Sequence, residues 1–556
     1  QTLATTAVMD AFVTLIYHTK FTMNEILERV LASRKQHVLS EMEENKETAQ
    51  LYEYIINTYK FVRTYYSITV QTTIQMELER EFPAGPSGET WPDITMRDNV
   101  EDMLLHWKRD LQTEIGGKLG ERFDHVESLR TMKELSATFN RIHQEYHEDD
   151  LIYESIFQIP LNRSINAMVA NMWKRASGLF QGLDSVQSDA LKTKVNLNSL
   201  FFENGVLKPI SEYSSAFVDP KAIDSFVEHF DQCFAAITSE LDEVYDEHGN
   251  NRHPELFTLD HQRDRVLIDG FVSWSDGIID ELYQMNNRME HSKTNPVTFK
   301  GLLLQFLSYT CYVHQCTWKA VSQSKELSGE GHAKTVIKDA LCGLSFKTGQ
   351  YFFDAVVGNL RVPFLKDAMM ESQGYSVVKN IVWKRVEYGD GTYLCIDRPS
   401  YNTDRFYEKM ASVVECLGSP EDALCLYVHT QIVLILVKRY EDYLRIYGKE
   451  YAPQLLVDLV TMRYGVLRAN ECHCNTLAQH CVPLTLVHKL SSQFDSTLQR
   501  IDEGISSVRS MFDDIDFFMT FNEGKNIAIK YYSDMERRQP TLFPRTHRSE
   551  ERRVGK

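Results

Sequence analysis

Glycine, proline and long apolar runs are all scarce in this chain of 556 residues. The 26 Gly and 15 Pro are too few for a collagen-like, linker-like or turn-rich all-β protein. No run reaches the roughly 18 uninterrupted apolar residues of a membrane-spanning helix. The nearest run, 423–437, is interrupted by His429, Thr430 and Gln431. We therefore expect a buried helix there and no membrane span.

The chain also lacks a surplus of basic residues. It has 60 Lys and Arg against 78 Asp and Glu, a net charge of −18. A polyanion of this size repels nucleic acid phosphates and anionic lipids, so we expect no direct nucleic acid binding. The densest basic stretch, 537–553, lies near the end of the chain. Within it, 548–556 looks like a non-native tail, and we expect natural sequence beyond both ends of this fragment.

Cysteine is absent from the first 232 residues, and the ten cysteines that follow are scattered through apolar stretches. This scatter does not suggest a disulfide framework. It favours reduced, buried thiols, as found in cytoplasmic proteins. We therefore predict a cytoplasmic location.

The dominant pattern is apolar residues at steps of three and four, which places them on one face of a helix. With 43% apolar residues, the chain can bury a substantial core. The pattern predicts a mainly α protein, either an elongated multi-helix bundle or an irregular helical array. No Gly or Pro occurs in 1–82, which predicts two or three long helices with a break near 43–47. Pro160 is expected to end the helices of the next segment.

One segment departs from the helical pattern. Residues rich in β-branched and aromatic side chains flank Gly389, Asp390 and Gly391. Asp-Gly between two such runs is typical of a hairpin turn, because both turn positions tolerate positive φ. The pattern predicts one small β-hairpin near 377–397.

Composition shifts and loop signals divide the chain into segments. The stretch 484–516 carries apolar residues at coiled-coil-like spacing, although an ordinary bundle helix is the favoured interpretation. The predicted segments are a long-helix segment 1–82, helical domains 94–218 and 219–372, a hairpin insertion 376–398, a C-terminal helical domain 400–547 that contains 484–516, and the tail 548–556.

The densest group of potential zinc ligands is Cys472, Cys474, His480 and Cys481. Thiolates and imidazoles bind zinc tetrahedrally, so these four residues are candidate zinc ligands. Zinc modules, however, use ligand pairs on two separate turns, and no second pair follows. Free thiols are the favoured interpretation.

Two histidines, His143 and His147, lie one helical turn apart and could share a metal ion. The zinc-protease pattern requires Glu directly after the first His, but Gln144 occupies that position. We therefore predict a solvated polar helix face.

Three carboxylates, Asp513, Asp514 and Asp516, follow Phe512. This short motif resembles the acidic helix end that holds magnesium in isoprenoid synthases, and carboxylates are suitable hard ligands for that ion. The resemblance implies a magnesium site at these residues. The second metal-binding motif of that family is missing downstream, so an acidic turn at a helix boundary is favoured.

No phosphate-binding glycine loop and no hydrolase nucleophile motif occurs, so we assign no catalytic residue and no cofactor. The tyrosines of 52–66 are expected to pack in the core. The sequence best fits a non-enzymatic helical scaffold or assembly subunit that binds protein partners through amphipathic helices. Vesicle tethers and cytoskeletal regulators are built this way. An all-α magnesium-dependent enzyme and a viral structural protein are the alternatives.

Overall fold

The computed structural model describes most of the chain. The described residues are 2–43, 48–83, 90–94, 100–126, 128–146, 153–180, 202–203, 206–207, 220–369, 383–388, 391–396, 398–400, 403–404, 407–408, 411, 413–414, 417, 422–447, 452–477 and 484–538.

The described residues are mainly helical, as the apolar periodicity predicts. The α-helices are α1 Thr2–Thr19, α2 Met23–Glu43, α3 Thr48–Tyr65, α4 Ile68–Glu81, α5 Val100–Asp124, α6 Leu129–Tyr146, α7 Ile159–Ala170, α8 Pro220–Asp242, α9 Arg263–His291, α10 Pro296–Gln323, α11 His332–Met369, α12 Asp422–Tyr447, α13 Ala452–Leu477, α14 Leu484–Arg509 and α15 Asp514–Arg538. Shorter elements are a π-helical turn at Tyr153–Gln158 and 3-10 helices at Met172–Phe180 and Ser292–Thr294.

Two strand pairs accompany the helices. β1 (Phe202–Glu203) pairs with β2 (Val206–Leu207), and β3 (Trp383–Tyr388) pairs antiparallel with β4 (Gly391–Ile396). The turn residues Gly389 and Asp390 lie outside the described residues, so the hairpin near 377–397 as a complete unit stays a prediction.

The contacts between residues group the chain into two compact units. The first comprises Gln1–Met172 and Ala236–Val266, and the second comprises Trp173–Ala235 and Leu267–Lys556. The finer division into segments stays a prediction.

The described residues of 1–82 form four helices rather than two or three. One additional break follows Lys20, whose φ is +60°, a conformation that ends a helix. The backbone N–H of Thr22 then donates to a Glu25 carboxylate oxygen at 2.8 Å, and Glu25 N–H donates to the Thr22 hydroxyl at 3.4 Å. This reciprocal pair is a capping box that begins α2. The other additional break lies at Ser67, where the backbone is extended.

Pro160 does not end a helix, contrary to the sequence-based prediction. It lies in the first turn of α7. Proline is tolerated there because the first N–H groups of a helix have no partner within it.

Two tyrosines of α3 pack in the core of the first unit. Tyr52 and Tyr59 are buried, and Tyr66 just beyond α3 is buried as well, which confirms the predicted core packing for these three. Tyr54 and Tyr65 are only half-buried. The Tyr59 hydroxyl donates to the Leu104 carbonyl oxygen at 3.3 Å. This hydrogen bond satisfies the one polar atom of a large buried ring.

The predicted buried helix at 423–437 is confirmed as α12. The stretch Ala423–Asp442 is long and apolar enough to cross a membrane, and 78% of it is buried inside the protein. A core helix has the same composition, so this stretch is weak evidence for a membrane span.

The helix predicted over 484–516 is two helices, because α14 ends at Arg509 and α15 begins at Asp514. Its apolar stripe is nevertheless buried against α12 and α13. The buried members are Leu490, Phe494, Ile501, Ile505 and Val508.

Helices α13 and α15 run parallel and approach each other closely through two glycines. Gly524 lies beside Val460, and Gly465 lies against the ring of Tyr532. Farther along, Arg468 forms an ion pair with Glu536. The missing glycine side chains let the helices approach at these points, which fixes the face of α15 that is buried.

We predict that Gly465→Ala destabilises the protein, because the new Cβ would overlap the Tyr532 ring. Overpacking of this kind costs about 1–3 kcal/mol, which chemical denaturation would measure. The control is Gly358→Ala in α11, where a Cβ meets no atom within 4 Å. Alanine there should stabilise the helix by up to about 1 kcal/mol. Equal effects of the two substitutions would contradict the proposed contact.

Candidate interaction surface

The candidate zinc ligands lie at the C-terminal end of α13. Cys472 and Cys474 belong to the last two turns of that helix. His480 and Cys481 lie outside the described residues. The zinc site therefore stays a prediction.

The candidate magnesium ligands Asp513, Asp514 and Asp516 lie at the exposed start of α15. Within the described part of the chain, no three His, Cys, Asp or Glu side chains are grouped so that they could hold a metal ion. The magnesium interpretation thus gains no support from the geometry. Carboxylates in the first turn of a helix interact favourably with its dipole, and an Arg509 guanidinium nitrogen lies 3.7 Å from an Asp514 oxygen.

His143 is half-buried, so the predicted solvated face is wrong for this residue. Its Nδ1 lies 3.1 Å from the Tyr52 hydroxyl, and its ring stacks on Tyr153 with a centroid distance of 4.5 Å. These contacts belong to the aromatic core of the first unit. His147 lies outside the described residues.

A buried polar cluster surrounds Asp458 on α13. The Ser400 backbone N–H donates to Asp458 Oδ1 at 2.7 Å, and the Gln454 amide donates to the same oxygen at 3.2 Å. The Ser400 hydroxyl lies 2.9 Å from the Thr403 hydroxyl and 3.2 Å from that of Tyr440 on α12. The cluster therefore attaches the segment around 400 to the two helices α12 and α13.

Burial raises the pKa of Asp458 to about 6, although hydrogen bonds from Ser400 and Gln454 lower it. A perturbed carboxyl group can mark an active site. Here, however, Asp458, Thr403 and Tyr440 are all buried, and their hydrogen bonds hold chain segments together. The cluster stabilises the fold.

A second buried polar pair joins α10 to α11. His314 Nδ1 lies 2.9 Å from the Ser345 carbonyl oxygen and 3.1 Å from the Ser345 hydroxyl. Both residues are fully buried, and burial lowers the pKa of His314 to about 4. A Ser–His pair can act as nucleophile and base, but a substrate would need access to it. We interpret this pair as part of the core.

The described residues do contain an unusual exposed surface, on the first turns of α15. Ile515, Phe518 and Met519 have 72%, 64% and 51% of their surface exposed. We call these three residues the α15 stripe. Their spacing of three and four places them on one side of the helix.

The α15 stripe lies opposite the face of α15 that packs against α13. The buried residues of α15 begin only at Gly524 and continue through Ile527 and Tyr531. At 3.6 residues per turn, their average direction is roughly half a turn away from that of the stripe. No residue between Asp514 and Glu523 is buried, although this stretch is rich in apolar side chains.

Aromatic contacts support the flank of the stripe. The rings of Phe517 and Phe521 stack with a centroid distance of 5.7 Å, and Phe512 contacts Phe517. The Arg509 guanidinium lies over Phe517, and the Lys525 ammonium lies over Phe521. Such cation–π contacts hold the first turns of α15 in place.

The charges carried by residues 513–523 have one sign. These residues contain Asp513, Asp514, Asp516 and Glu523 and no Lys or Arg, and all four carboxylates are exposed. Arg509 lies beside Asp514 on one edge of the stripe, so the acidic edge is the one that carries Asp516 and Glu523.

The α15 stripe was missed at the sequence level. The motif that contains it was interpreted from its carboxylates, whereas Phe517, Phe518 and Met519 have the composition of a core segment. Only the packing of α15 on α13 shows which of these side chains face outward.

No protein-family model matches this chain, and no curated protein matches it significantly in sequence.

We predict that Asp458 makes the protein more stable in mild acid. Because its pKa in the folded state, about 6, exceeds the ordinary value of 3.8, the folded state binds the proton first. This contribution is complete below about pH 4 and is lost as the pH rises through 6. When the pH is lowered from about 7 to 4.5, the free energy of unfolding of the wild type should increase by about 2 kcal/mol relative to that of Asp458→Asn. Urea denaturation at several pH values measures this gain, and exposed Asp495→Asn is the control. The prediction is contradicted if the difference in unfolding free energy between the wild type and Asp458→Asn does not change with pH.

His314 should act in the opposite direction. Its pKa in the folded state, about 4, lies below the ordinary value of 6.5, so the unfolded chain binds the proton first. Its contribution is complete above pH 6.5 and is lost as the pH falls toward 4. When the pH is lowered from about 7 to 4.5, the free energy of unfolding of the wild type should decrease by about 2–3 kcal/mol relative to that of His314→Gln. The matched control is exposed His332→Gln, and a gain instead of a loss would show that His314 is not buried as described.

Proposed function

We propose that this protein is a non-enzymatic helical assembly subunit that binds a protein partner through the α15 stripe. The main support is that three large apolar side chains of α15 face solvent, on the side opposite to the one that is buried against α13. Single exposed apolar residues are ordinary, but a contiguous apolar patch with a polar edge is typical of an interaction site.

Burial of the α15 stripe against a partner would be energetically favourable. Complete burial of a side chain such as Ile, Phe or Met is worth roughly 1.5–3 kcal/mol. Aromatic residues and methionine are enriched at the centres of interfaces. Because the Phe517 and Phe521 contacts already hold the first turns of α15, a partner would lose little binding free energy in ordering this surface.

The location of the buried polar groups supports a binding role rather than a catalytic one. Asp458 and His314 carry the kinds of side chains that catalysis uses, but both are enclosed and engaged in contacts between elements. The side chains of α15 that solvent and a partner can reach are apolar or acidic.

By analogy with vesicle tethers and cytoskeletal regulators, the helical architecture supports a role in trafficking or cytoskeletal regulation, an analogy at the level of fold alone. Cys311, Cys316, Cys342 and Cys425 are buried, and buried cysteines scattered through helices are typical of a reducing, cytoplasmic location.

We predict that Ile515→Ser, Phe518→Ser and Met519→Ser, made together, abolish partner binding without unfolding the protein. Because these side chains are exposed, the thermal midpoint should hardly change. Cross-linking in cells of the source organism, followed by quantitative mass spectrometry, would measure partner recovery. The matched control is Ile68→Ser with Met76→Ser, which alters two exposed apolar residues of α4.

Proteins that are retained by the wild type and the α4 control but lost by the stripe variant would support the proposal. The same set of cross-linked proteins with the stripe variant as with the wild type would refute it.

A further inference from the structure

We infer that the partner presents a basic amphipathic helix to the α15 stripe. This inference rests on the proposed function and specifies the chemistry of the partner. It follows from the shape of the stripe and from the charge at its edges.

The shape of the surface suits a helix. Ile515, Phe518 and Met519 form one ridge at helical spacing, and ridges of this kind pack into the grooves between side chains of a second helix. A partner helix would supply apolar residues at spacings of three and four. An extended strand would gain less, because from Phe517 onward the backbone N–H groups of α15 donate within the helix and a helix offers no sheet edge.

The charge of the surface selects a basic partner. Four carboxylates and no cation lie within 513–523. The nearest flanking cations, Arg509 and Lys525, lie over the rings of Phe517 and Phe521, and Arg509 also lies 3.7 Å from an Asp514 oxygen. The edge with Asp516 and Glu523 therefore carries the negative charge. A helix with Lys or Arg beside its apolar face would place opposite charges against this edge, whereas an acidic helix would meet like charges.

The same charges disfavour two other occupants. In a symmetric dimer the same patch lies on both sides of the interface, so the acidic edges of two copies would face each other. An anionic membrane would repel the four carboxylates, since such surfaces attract basic segments.

The test uses the full chain and two synthetic helical peptides of about five turns. Both peptides carry Leu at steps of three and four, and one has Lys at the flanking positions where the other has Glu. Fluorescence anisotropy measures binding at low and at high salt. We expect the Lys peptide to bind at least about tenfold more tightly than the Glu peptide, with a difference that shrinks as salt screens the charges.

Two variants separate the apolar and the charged contributions. Phe518→Ser should abolish binding of the Lys peptide. Asp513→Asn, Asp514→Asn and Asp516→Asn, made together, should weaken it about tenfold and bring its affinity close to that of the Glu peptide. The control changes three exposed aspartates elsewhere to Asn, at positions 276, 280 and 495, and should leave the affinity unchanged.

The inference is overturned if both peptides bind equally or if Phe518→Ser leaves binding of the Lys peptide intact. Light scattering measures whether the wild type forms a dimer. If it does and Phe518→Ser abolishes the dimer, a second copy of this chain occupies the stripe. Stripe-dependent binding to phosphatidylserine vesicles would identify a membrane instead.

Failure of this inference is distinguishable from failure of the proposed function. If cross-linking to cellular proteins depends on the stripe but the Lys peptide shows no preference, the partner is a protein of different chemistry and only the inference fails. If cross-linking does not depend on the stripe, the proposed function fails as well.

Discussion

The close packing of α15 on α13 is the constraint on which the exposed surface depends. Gly465 leaves room for the Tyr532 ring, and Gly524 lets the helix axis approach Val460. Together these contacts set the rotation of α15 about its own axis. A rotation by even one residue would bury part of the Ile515 side and expose part of the Ile527 side. The packing of α15 on α13 thus decides which side chains of α15 face solvent.

The arrangement separates two kinds of polar chemistry. Asp458 and His314 are enclosed, and each joins elements that are distant in sequence. The carboxylates of 513–523 are exposed to solvent, where a charge costs little. The polar groups that could carry chemistry therefore lie in the interior, whereas the exposed first turns of α15 carry the surface that we propose binds a partner.

The sequence predicts much of the fold and little of the site. Apolar steps of three and four predict the mainly helical fold but not every helix boundary, and Pro220 marks the start of α8 because proline suits a first turn. The break at Lys20 was missed although Thr22 and Glu25 have the spacing of a capping box. Asp458 and Ser400 are 58 residues apart, and no local pattern connects them. Likewise, Phe518 and Met519 have the composition of a core, and only tertiary packing leaves them outside.

The π-helical turn at Tyr153–Gln158 has a consequence for the helix that follows it. Tyr153, Phe157, Leu161 and Ile165 are spaced four apart and are all buried. In a regular α-helix each step of four overshoots a full turn by about 40°, so a row of this length would wind around the axis and out of the core. A π turn holds more residues per turn and rotates the row back. This one irregular turn keeps a four-residue repeat aligned along a single side, and removing a residue from it would redirect every side chain of α7.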